Sequence, residues 1–410
     1  MSSHDVRMRG FASRTDLDEA LSRLRALVRR LGAEEVALDE ALGRTLAADV
    51  VAARDVPAFR KSAVDGYAVR AAETFGASGQ DPLVLSLVGE VLPGVVGERR
   101  VGPGEAVRIM TGGAVPEGAD AVAMAEVAAE RGGELLLSDA VTPGRNVAAV
   151  GEDIRRGEMV LRAGRVLKPQ DLGVIASLAR PRVAVVQRPR IAVLTTGNEL
   201  VSADDPEADR PGRVINSNRY TLKGLVAELG CLPLSLGIAG DDEQVLGEAV
   251  KSFPGDILVT TGATSVGKED FLPLVVRALG ELVVHGMNIK PGSPAGFGVV
   301  GERLVFLLPG NPVAAMVAFD VLVRPVLQLM LGQEEGRRNP RLRARLRRKM
   351  ASALNRVEFV RVCLVDGEVE PLRAGGSGVL SSMSKADGFV IVPRDVEGHE
   401  AGELVEVYLL

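Results

Sequence analysis

Tryptophan is absent from this 410-residue chain, and tyrosine (three), histidine (three) and cysteine (two) are scarce. Each scarcity closes off a class of chemistry. Cys231 and Cys363 lie far apart with no C-x-x-C between them. That excludes a disulfide framework and a zinc site of the usual spacing, and it fits a reducing compartment. His4, His285 and His399 are too few and too scattered for a histidine-rich metal centre or a His-based triad. His285 ends an apolar run and reads as structural. A basic excess is missing as well: 49 Lys and Arg stand against 54 Asp and Glu, a net charge of −5. No global field therefore recruits nucleic acid or an anionic membrane, and an anionic ligand has to be caught by local charge and backbone N–H groups. The N-terminal stretch is polar and lacks the apolar segment of a signal peptide. The most apolar run, "PVAAMVAFDVLVRPVLQLML", carries Asp320, Arg324 and Pro325. It reads as a buried helix with a break and not as a membrane span, so a cytoplasmic location is expected.

What is present is the composition of a globular protein, 46% hydrophobic and 25% charged, long enough for several domains. The first helix is expected over "RTDLDEALSRLRALVRRLG", with Leu17, Ala20, Leu21, Leu24, Leu27, Val28 and Leu31 on one stripe. Thr15 and Asp18 resemble a capping box, and Gly32 marks the stop. A second, shorter helix is expected over "LDEALGRTLAADV". Residues 80–145 are short β-type runs separated by Gly and Pro, and helix signal returns at "KPQDLGVIASLA". From 190 to 330 strand and helix alternate: "IAVLTT", "LPLSLGIA", "DILVTT", "ELVVHG" and "RLVFLLP" are strands. Leu222, Leu225, Val226 and Leu229 mark one intervening helix, and Val245, Leu246, Ala249 and Val250 mark the next. That alternation predicts a mostly parallel sheet with covering helices. A basic linker follows Gly332. "RVEFVRVCLVDGEVEPL" then reads as a hairpin turning at Asp366-Gly367, within a separate β domain.

In an open α/β sheet, ligands bind outside the carboxyl ends of the strands. The loops leaving those ends carry Glu199, then Asp241 and Asp242, then "TGATSVGKED" with Asp270, then Lys290 in "NIKPGSP", and finally "LPGNPV" opening a helix. Carboxylates, a lysine and glycine-rich backbone crowded on one edge suit Mg²⁺ together with a phosphate or oxyanion. The third loop imitates a nucleotide-binding P-loop, with Gly262 and Gly267-Lys268 at the right spacing. It has Glu269 where that loop needs the Ser or Thr whose hydroxyl holds the metal, so a true P-loop NTPase is disfavoured.

The motifs "FRKSAVDGYAVR" (59–70), "RIMTGGAVPEGADAVAMAE" (108–126), "GRNVAAVGEDIRRGE" (144–158), "TTGNEL" (195–200), "TGATSVGKEDF" (261–271), "NIKPGSP" (288–294) and "LPGNPVAA" (308–315) resemble the molybdopterin molybdenumtransferase family, which includes the C-terminal domain of gephyrin. They run in the family's order over nearly the whole chain. The resemblance implies an enzyme that inserts molybdate, or tungstate, into adenylylated molybdopterin with Mg²⁺, releasing AMP and the molybdenum cofactor. It implies an elongated homodimer whose cleft is shared between subunits, and a molybdopterin adenylyltransferase as a possible partner protein. The fold class it implies is multidomain α/β plus β. An extended, discontinuous N-terminal domain comes from two segments, 1–55 and 146–183, with a small β domain inserted at 56–145. A mostly parallel α/β molybdopterin-binding domain with flanking helices spans 184–332, and a C-terminal β-barrel spans 333–410.

Carried over by motif, Asp65, Thr111, Asp153, Glu199, Asp270 and Lys290 are the catalytic candidates. Gly262, Ser265, Gly267, Pro309, Pro312, Arg361 and Ser377 are the substrate-binding candidates, the last two near molybdate. Asp241 and Asp270 are the candidate holders of Mg²⁺. The chain departs from the family's pattern where Asn198 replaces an aspartate, Ser293 replaces a lysine, "GATSVG" replaces "GGVSVG" and Gly286 falls where some members carry lysine. Two other readings compete: a peptide-binding scaffold of the gephyrin type, and a molybdopterin adenylyltransferase, which resembles the α/β domain alone.

Overall fold

Runs of β-branched residues that alternate with amphipathic helices bury themselves on both faces of a parallel sheet, and the stretch from Arg190 to Met330 does this. The computed structural model describes residues 14–95, 100–263, 271–333, 340–372 and 376–410. Its strands lie in the order Leu232–Ala239, Arg190–Thr196, Ile257–Thr261, Arg303–Leu308, Gly296–Val300 and Glu281–His285. The first four are parallel, whereas Gly296–Val300 runs antiparallel to both its neighbours. That antiparallel strand was not expected from the sequence, because "GFGVV" is short and two of its five residues are glycine. It reverses direction between two strands that both point the same way.

Side chains alternate across the sheet with a period of two. Ile191, Val193, Ile257, Val259 and Phe306 face a cluster that includes Leu222 and Val226 of the helix Ser217–Glu228, and Val313 and Phe319 of the long apolar helix. Ala192, Leu194, Leu258, Val305 and Leu307 face Leu246 and Val250 of Glu243–Ser252, and Leu272 and Val276 of Leu272–Leu279. Val245, expected on the apolar stripe, is half exposed. The stretch Pro312–Met330 is long and apolar enough to cross a membrane by length and composition, but most of it lies buried inside the fold. Its expected break is a π-helical turn, Phe319–Val323, closed by the Arg324–Asp320 pair at 2.6 Å.

Two expected helices are corrected. The first runs only Leu17–Leu27, and its N-cap is Asp16 with no side-chain cap bond, so the Thr15–Asp18 capping box does not form. Asp16 instead accepts from Asn288 Nδ2 at 2.8 Å and pairs with Arg394. Asn288 above all, with Arg394, pulls its carboxyl below the usual aspartate range. At the other end, the Leu31 N–H donates to Met330 O at 3.0 Å, which draws the chain off its helical path before Gly32. The second expected helix reduces to one 3₁₀ turn, Leu38–Glu40. Leu46 bridges to Val185 in antiparallel fashion and Ala47 N–H bonds Ala184 O, so pairing takes the chain that helical propensity would have coiled.

The chain forms two compact units. One takes the chain up to Glu34, Gly43–Ala47 and Ala184–Leu410, and the other takes Glu35–Leu42 and Ala48–Val183. The second unit holds a six-stranded sheet in the order Ala121–Met124, Gly66–Val69, Glu105–Ile109, Leu83–Val91, Glu134–Leu137, Ala128–Arg131, and the helix Pro169–Ser177. The C-terminal part of the first unit is a further sheet: Ile289–Lys290, Val357–Val365, Gly388–Val392, Leu404–Leu409 and Arg341–Arg345, with Glu368–Pro371 paired to Val357–Val365. Its hairpin turns where expected, at Asp366 (φ 53°) and Gly367 (φ 80°), the two successive positive values that a tight hairpin turn demands. Both cysteines are free, and burial pushes the Cys231 thiol up to about 12.

Phe306 is fully buried, its ring centroid 6.2 Å from that of Phe297. Phe306→Ala is expected to destabilise the first unit by about 3–5 kcal/mol. Val245→Ala, on the half-exposed face, should stay within about 0.5 kcal/mol. Thermal and denaturant unfolding of the two variants, followed by circular dichroism, check the contrast.

Candidate functional site

Register decides where the loops emerge. Thr195 lies opposite Thr261, Thr261 opposite Leu308, and Thr196 opposite Ala239. The residues that follow, from Gly197, Gly240, Gly262 and Pro309 onward, therefore leave the sheet along one edge. They surround a cleft of about 860 Å³, whose lining includes Glu199, Asp241, Gly262, Pro309 and Pro312 together with Asn216, Asn218 and Asn311. A volume of that order accommodates a large organic ligand.

The cleft floor is built from hydroxyls and amides that satisfy one another, with Thr195, Thr261 and Asn216 buried. Asn216 caps the helix Ser217–Glu228 by accepting from Arg219 N, and it donates from Nδ2 to Thr195 Oγ1 at 2.7 Å. Asn218 Nδ2 donates to Thr261 Oγ1 at 2.9 Å and to Gly310 O at 2.7 Å, and Thr261 Oγ1 donates on to Pro309 O at 2.9 Å. Such a network holds the wall of a site rigid. Gly262 has φ +95°, and a Cβ there would collide with the Thr196 carbonyl, so only glycine allows the third loop to leave so close to its neighbour.

Of the two aspartates that open the helix Glu243–Ser252, Asp242 is the cap, accepting from Gln244 N and Val245 N at 2.9 Å each. That leaves Asp241 to line the cleft. Asp241 is tied to Asn198, its N–H donating to Asn198 Oδ1 at 3.2 Å and its Oδ2 accepting from Asn198 N at 3.3 Å. Asn198, where a second carboxylate was expected from the resemblance, thus supplies an acceptor for a main-chain donor without a like charge beside Asp241. Glu199 is exposed on the same rim.

A second cavity of about 550 Å³ adjoins the first, sharing Pro294, Pro309 and Asn311 in its lining. Lys290, Arg361 and Ser377 line it, and so do Arg356 and Glu358. Lys290 Nζ sits 2.6 Å from Glu358 Oε1, and Arg361 donates to Ser382 Oγ and, at 3.4 Å, to Gly376 O. Burial pulls the Arg361 guanidinium below its usual value. Asn311 Nδ2 donates to Ser377 Oγ at 3.1 Å, and Val313 N bonds Ser377 O, so the last sheet loop is fastened to the C-terminal segment. Ser293, in place of an expected lysine, turns its hydroxyl to Met287 O at 3.2 Å.

In the other unit, Asp65 and Thr111 form a pair. The Asp65 carboxylate accepts from the Thr111 N–H and from its hydroxyl, both at 2.7 Å. Those two bonds, the backbone one first, hold its carboxyl below the ordinary aspartate value. Asp153 stands exposed on a separate turn, its N–H bonded to Val56 O at 3.0 Å. Ser265, Gly267 and Asp270 lie outside the described residues.

Sequence reasoning missed Asn216, Asn218, Arg356 and Glu358. The "NSN" at a helix start was a legible cap signal. The Arg356–Glu358 pair had no motif of its own and becomes visible only when the chain brings it beside Lys290. Among the described residues no group of three or more His, Cys, Asp and Glu gathers to hold a metal. The described lining of the main cleft carries two carboxylates and no cation. This donor set fits Mg²⁺, a hard ion commonly held by one or two carboxylates, waters and a substrate phosphate.

Comparison with known proteins matches three family models in succession: the MoeA N-terminal region (domain I and II) over residues 15–179, a probable molybdopterin binding domain over 192–329, and the MoeA C-terminal region (domain IV) over 343–410. A Methanocaldococcus jannaschii protein named for molybdopterin biosynthesis is 41% identical over 385 residues, 92% of either chain. The molybdopterin molybdenumtransferase of Bacillus subtilis is 34% identical over 405 residues, 96% of this chain and 94% of its own. The crystal structure of a molybdopterin biosynthesis MoeA protein from Pyrococcus horikoshii superposes with a TM-score of 0.84 at 33% identity, over 97% of this chain and all of that one.

The Asp65–Thr111 pair makes a prediction about pH. A depressed carboxyl contributes order above its unfolded value of 3.8 and loses it as pH falls through the lower folded value. Thr111→Val keeps the N–H and deletes the hydroxyl, so Asp65 should titrate nearer 3.8 than in the wild type. An NMR pH titration of the carboxyl reads this, and identical midpoints in the two proteins would show that the hydroxyl bond does not form.

Proposed function

This chain belongs to the MoeA family, and from that premise we propose that it is a molybdopterin molybdenumtransferase, inserting molybdate into adenylylated molybdopterin and releasing AMP. The observation that carries the reading is the arrangement of the two adjoining cavities. One is large, lined by carboxylates and glycine-rich loops, and the other is smaller and cationic, and they meet at Pro294, Pro309 and Asn311. A substrate with a phosphoanhydride at one end and a metal-accepting dithiolene at the other needs that pairing of a metal-assisted phosphate site and an oxyanion site.

In this reading the adenylylated pterin occupies the larger cleft. Asn216, Asn218 and the Gly262 turn keep its wall fixed, so little reorganisation accompanies the chemistry. Asp241, with Asp270, would hold Mg²⁺, which when bound supplies positive charge against the phosphates. Lys290, Arg361 and Ser377 hold the molybdate oxygens, and Pro309 and Pro312 shape the loop between the two ligands. Glu199 acts as a further acidic residue of the site, and Asp153 is a catalytic candidate carried by the second unit. No protein nucleophile is required, in keeping with so few histidines and cysteines. The two carboxylates of the cleft support an enzyme over a peptide-binding scaffold.

The layout of domains follows the same reading. The segments 1–55 and 146–183 make an extended domain around a β domain at 56–145, the α/β domain covers 184–332, and the sheet of 333–410 closes as a barrel. The protein works in the cytoplasm as a homodimer, with the cleft completed by the partner subunit through the region of Asp65 and Thr111.

The test is AMP release from adenylylated molybdopterin with Mg²⁺, comparing molybdate and tungstate. Asp270→Asn and Lys290→Ala are expected to fold and to lose AMP release by two orders of magnitude or more, about 10²-fold for loss of one preorganised electrostatic contact. Full activity of Asp270→Asn would remove that residue from the mechanism.

A further inference from the structure

The cationic cavity contains one residue of the wrong sign. Its described lining holds three cations, Lys290, Arg356 and Arg361, and one carboxylate, Glu358. Glu358 is 8% exposed and fully partnered: Oε1 meets Lys290 Nζ at 2.6 Å, and Oε2 accepts from Ser352 Oγ at 2.9 Å. The strand pair Ile289–Lys290 and Val357–Val365 places Lys290 directly opposite Glu358 in register, so the contact is built into the sheet. The lysine side chain is half exposed while its partner is covered, which leaves the ammonium accessible from the cavity. Arg356 contributes a second observation, since its Nε is buried with no hydrogen-bond partner. A buried guanidinium N–H without an acceptor calls for an anionic oxygen.

We propose that Glu358 is a positioning and affinity-tempering residue of this cavity. It holds Lys290 in place and lowers the charge of a three-cation pocket, with Arg356 as the third anion-binding group, so that a doubly charged tetrahedral oxyanion is held but still able to leave. Three cations against one carboxylate leave a net charge of two positive among the described lining residues. A carboxylate that shares Lys290 with the ligand also repels it, and this repulsion grows in proportion to the ligand's charge. Glu358 therefore weakens the hold on dianions more than on monoanions and keeps the bound oxyanion able to leave. The inference rests on the reading of this cavity as the oxyanion site of the proposed reaction.

The experiment measures anion affinity by isothermal titration calorimetry of the full-length protein, using molybdate and sulfate as dianions and perrhenate as a monoanion of the same tetrahedral shape. Glu358→Gln keeps the shape and an acceptor for Lys290 but removes the charge. It should tighten molybdate and sulfate by about tenfold and perrhenate by only about threefold, because the Coulomb contribution is linear in ligand charge. The gain should shrink as salt is raised from about 0.05 to 0.5 M. Glu358→Asp keeps the charge but is too short to reach both Lys290 and Ser352, and it should weaken all three anions. Arg356→Gln should weaken the dianions severalfold.

A merely structural role for Glu358 would make both of its variants weaker, and that result overturns the proposal. Equal gains for perrhenate and molybdate, or no anion binding in any of these proteins, overturn it as well. The same preparations are assayed for AMP release. The expected affinity pattern without AMP release from the wild type would sink the reaction and leave the charge-matching role standing. Normal AMP release with unchanged affinities in Glu358→Gln would do the reverse.

Discussion

Backbone register in one parallel sheet is the constraint on which the candidate site depends. Thr195, Thr261 and Leu308 sit side by side in hydrogen-bonded strands, so the loops that follow begin at the same height. A slip of one residue in any of these pairings would turn its apolar side chains from one helical layer to the other. The alternating burial of Ile191, Val193 and Ala192, Leu194 against separate clusters forbids that slip. The core thus fixes the site from behind: what keeps Asp241, Gly262 and Pro309 on one rim is the packing of Val259 and Phe306 beneath them.

The polar groups at that rim are disposed with the same economy of charge. Threonine hydroxyls at the strand ends and asparagines at the helix start satisfy one another, so the cleft wall carries no orphaned amide in that network. Charge is left to few residues. Asn198 faces Asp241 without adding a second negative charge, and Ser293 leaves the neighbouring cavity one cation lighter than the resemblance led one to expect. Both substitutions move in the direction of lower local charge, as does Glu358 beside Lys290. The larger cleft and the cationic cavity meet at the loop Pro309–Pro312, whose Asn311 is anchored to Ser377.

Much of this was readable from residue order. Five strands, their helices and the loops carrying Glu199, Asp241 and Lys290 follow from periodicity and from the rule that ligands bind at carboxyl ends. The misreadings have one cause in common. The helix after Leu38 and the far end of the first helix were lost because distant partners, Ala184 and Met330, offered their carbonyls to Ala47 and Leu31. Local propensity is worth tenths of a kcal/mol per residue, and a tertiary pairing easily outweighs it. The strand Gly296–Val300 was invisible for the same reason: "GFGVV" has little pattern of its own and is a strand because two neighbours supply the ladder.

The sequence by itself determined the mixed α/β class of the fold and the family, because these rest on periodicity and long contiguous motifs. Tertiary structure alone decided which of two adjacent aspartates caps a helix and which lines the cleft, since that choice depends on where Gln244 N and Val245 N point. It alone joined Asp65 to Thr111, 46 residues away, and set Glu358 against Lys290 across 68 residues. Contacts of that separation are created by strand pairing and carry no signature in the local chain, so the charge balance of the cationic cavity could be read only after the sheet had brought its members together.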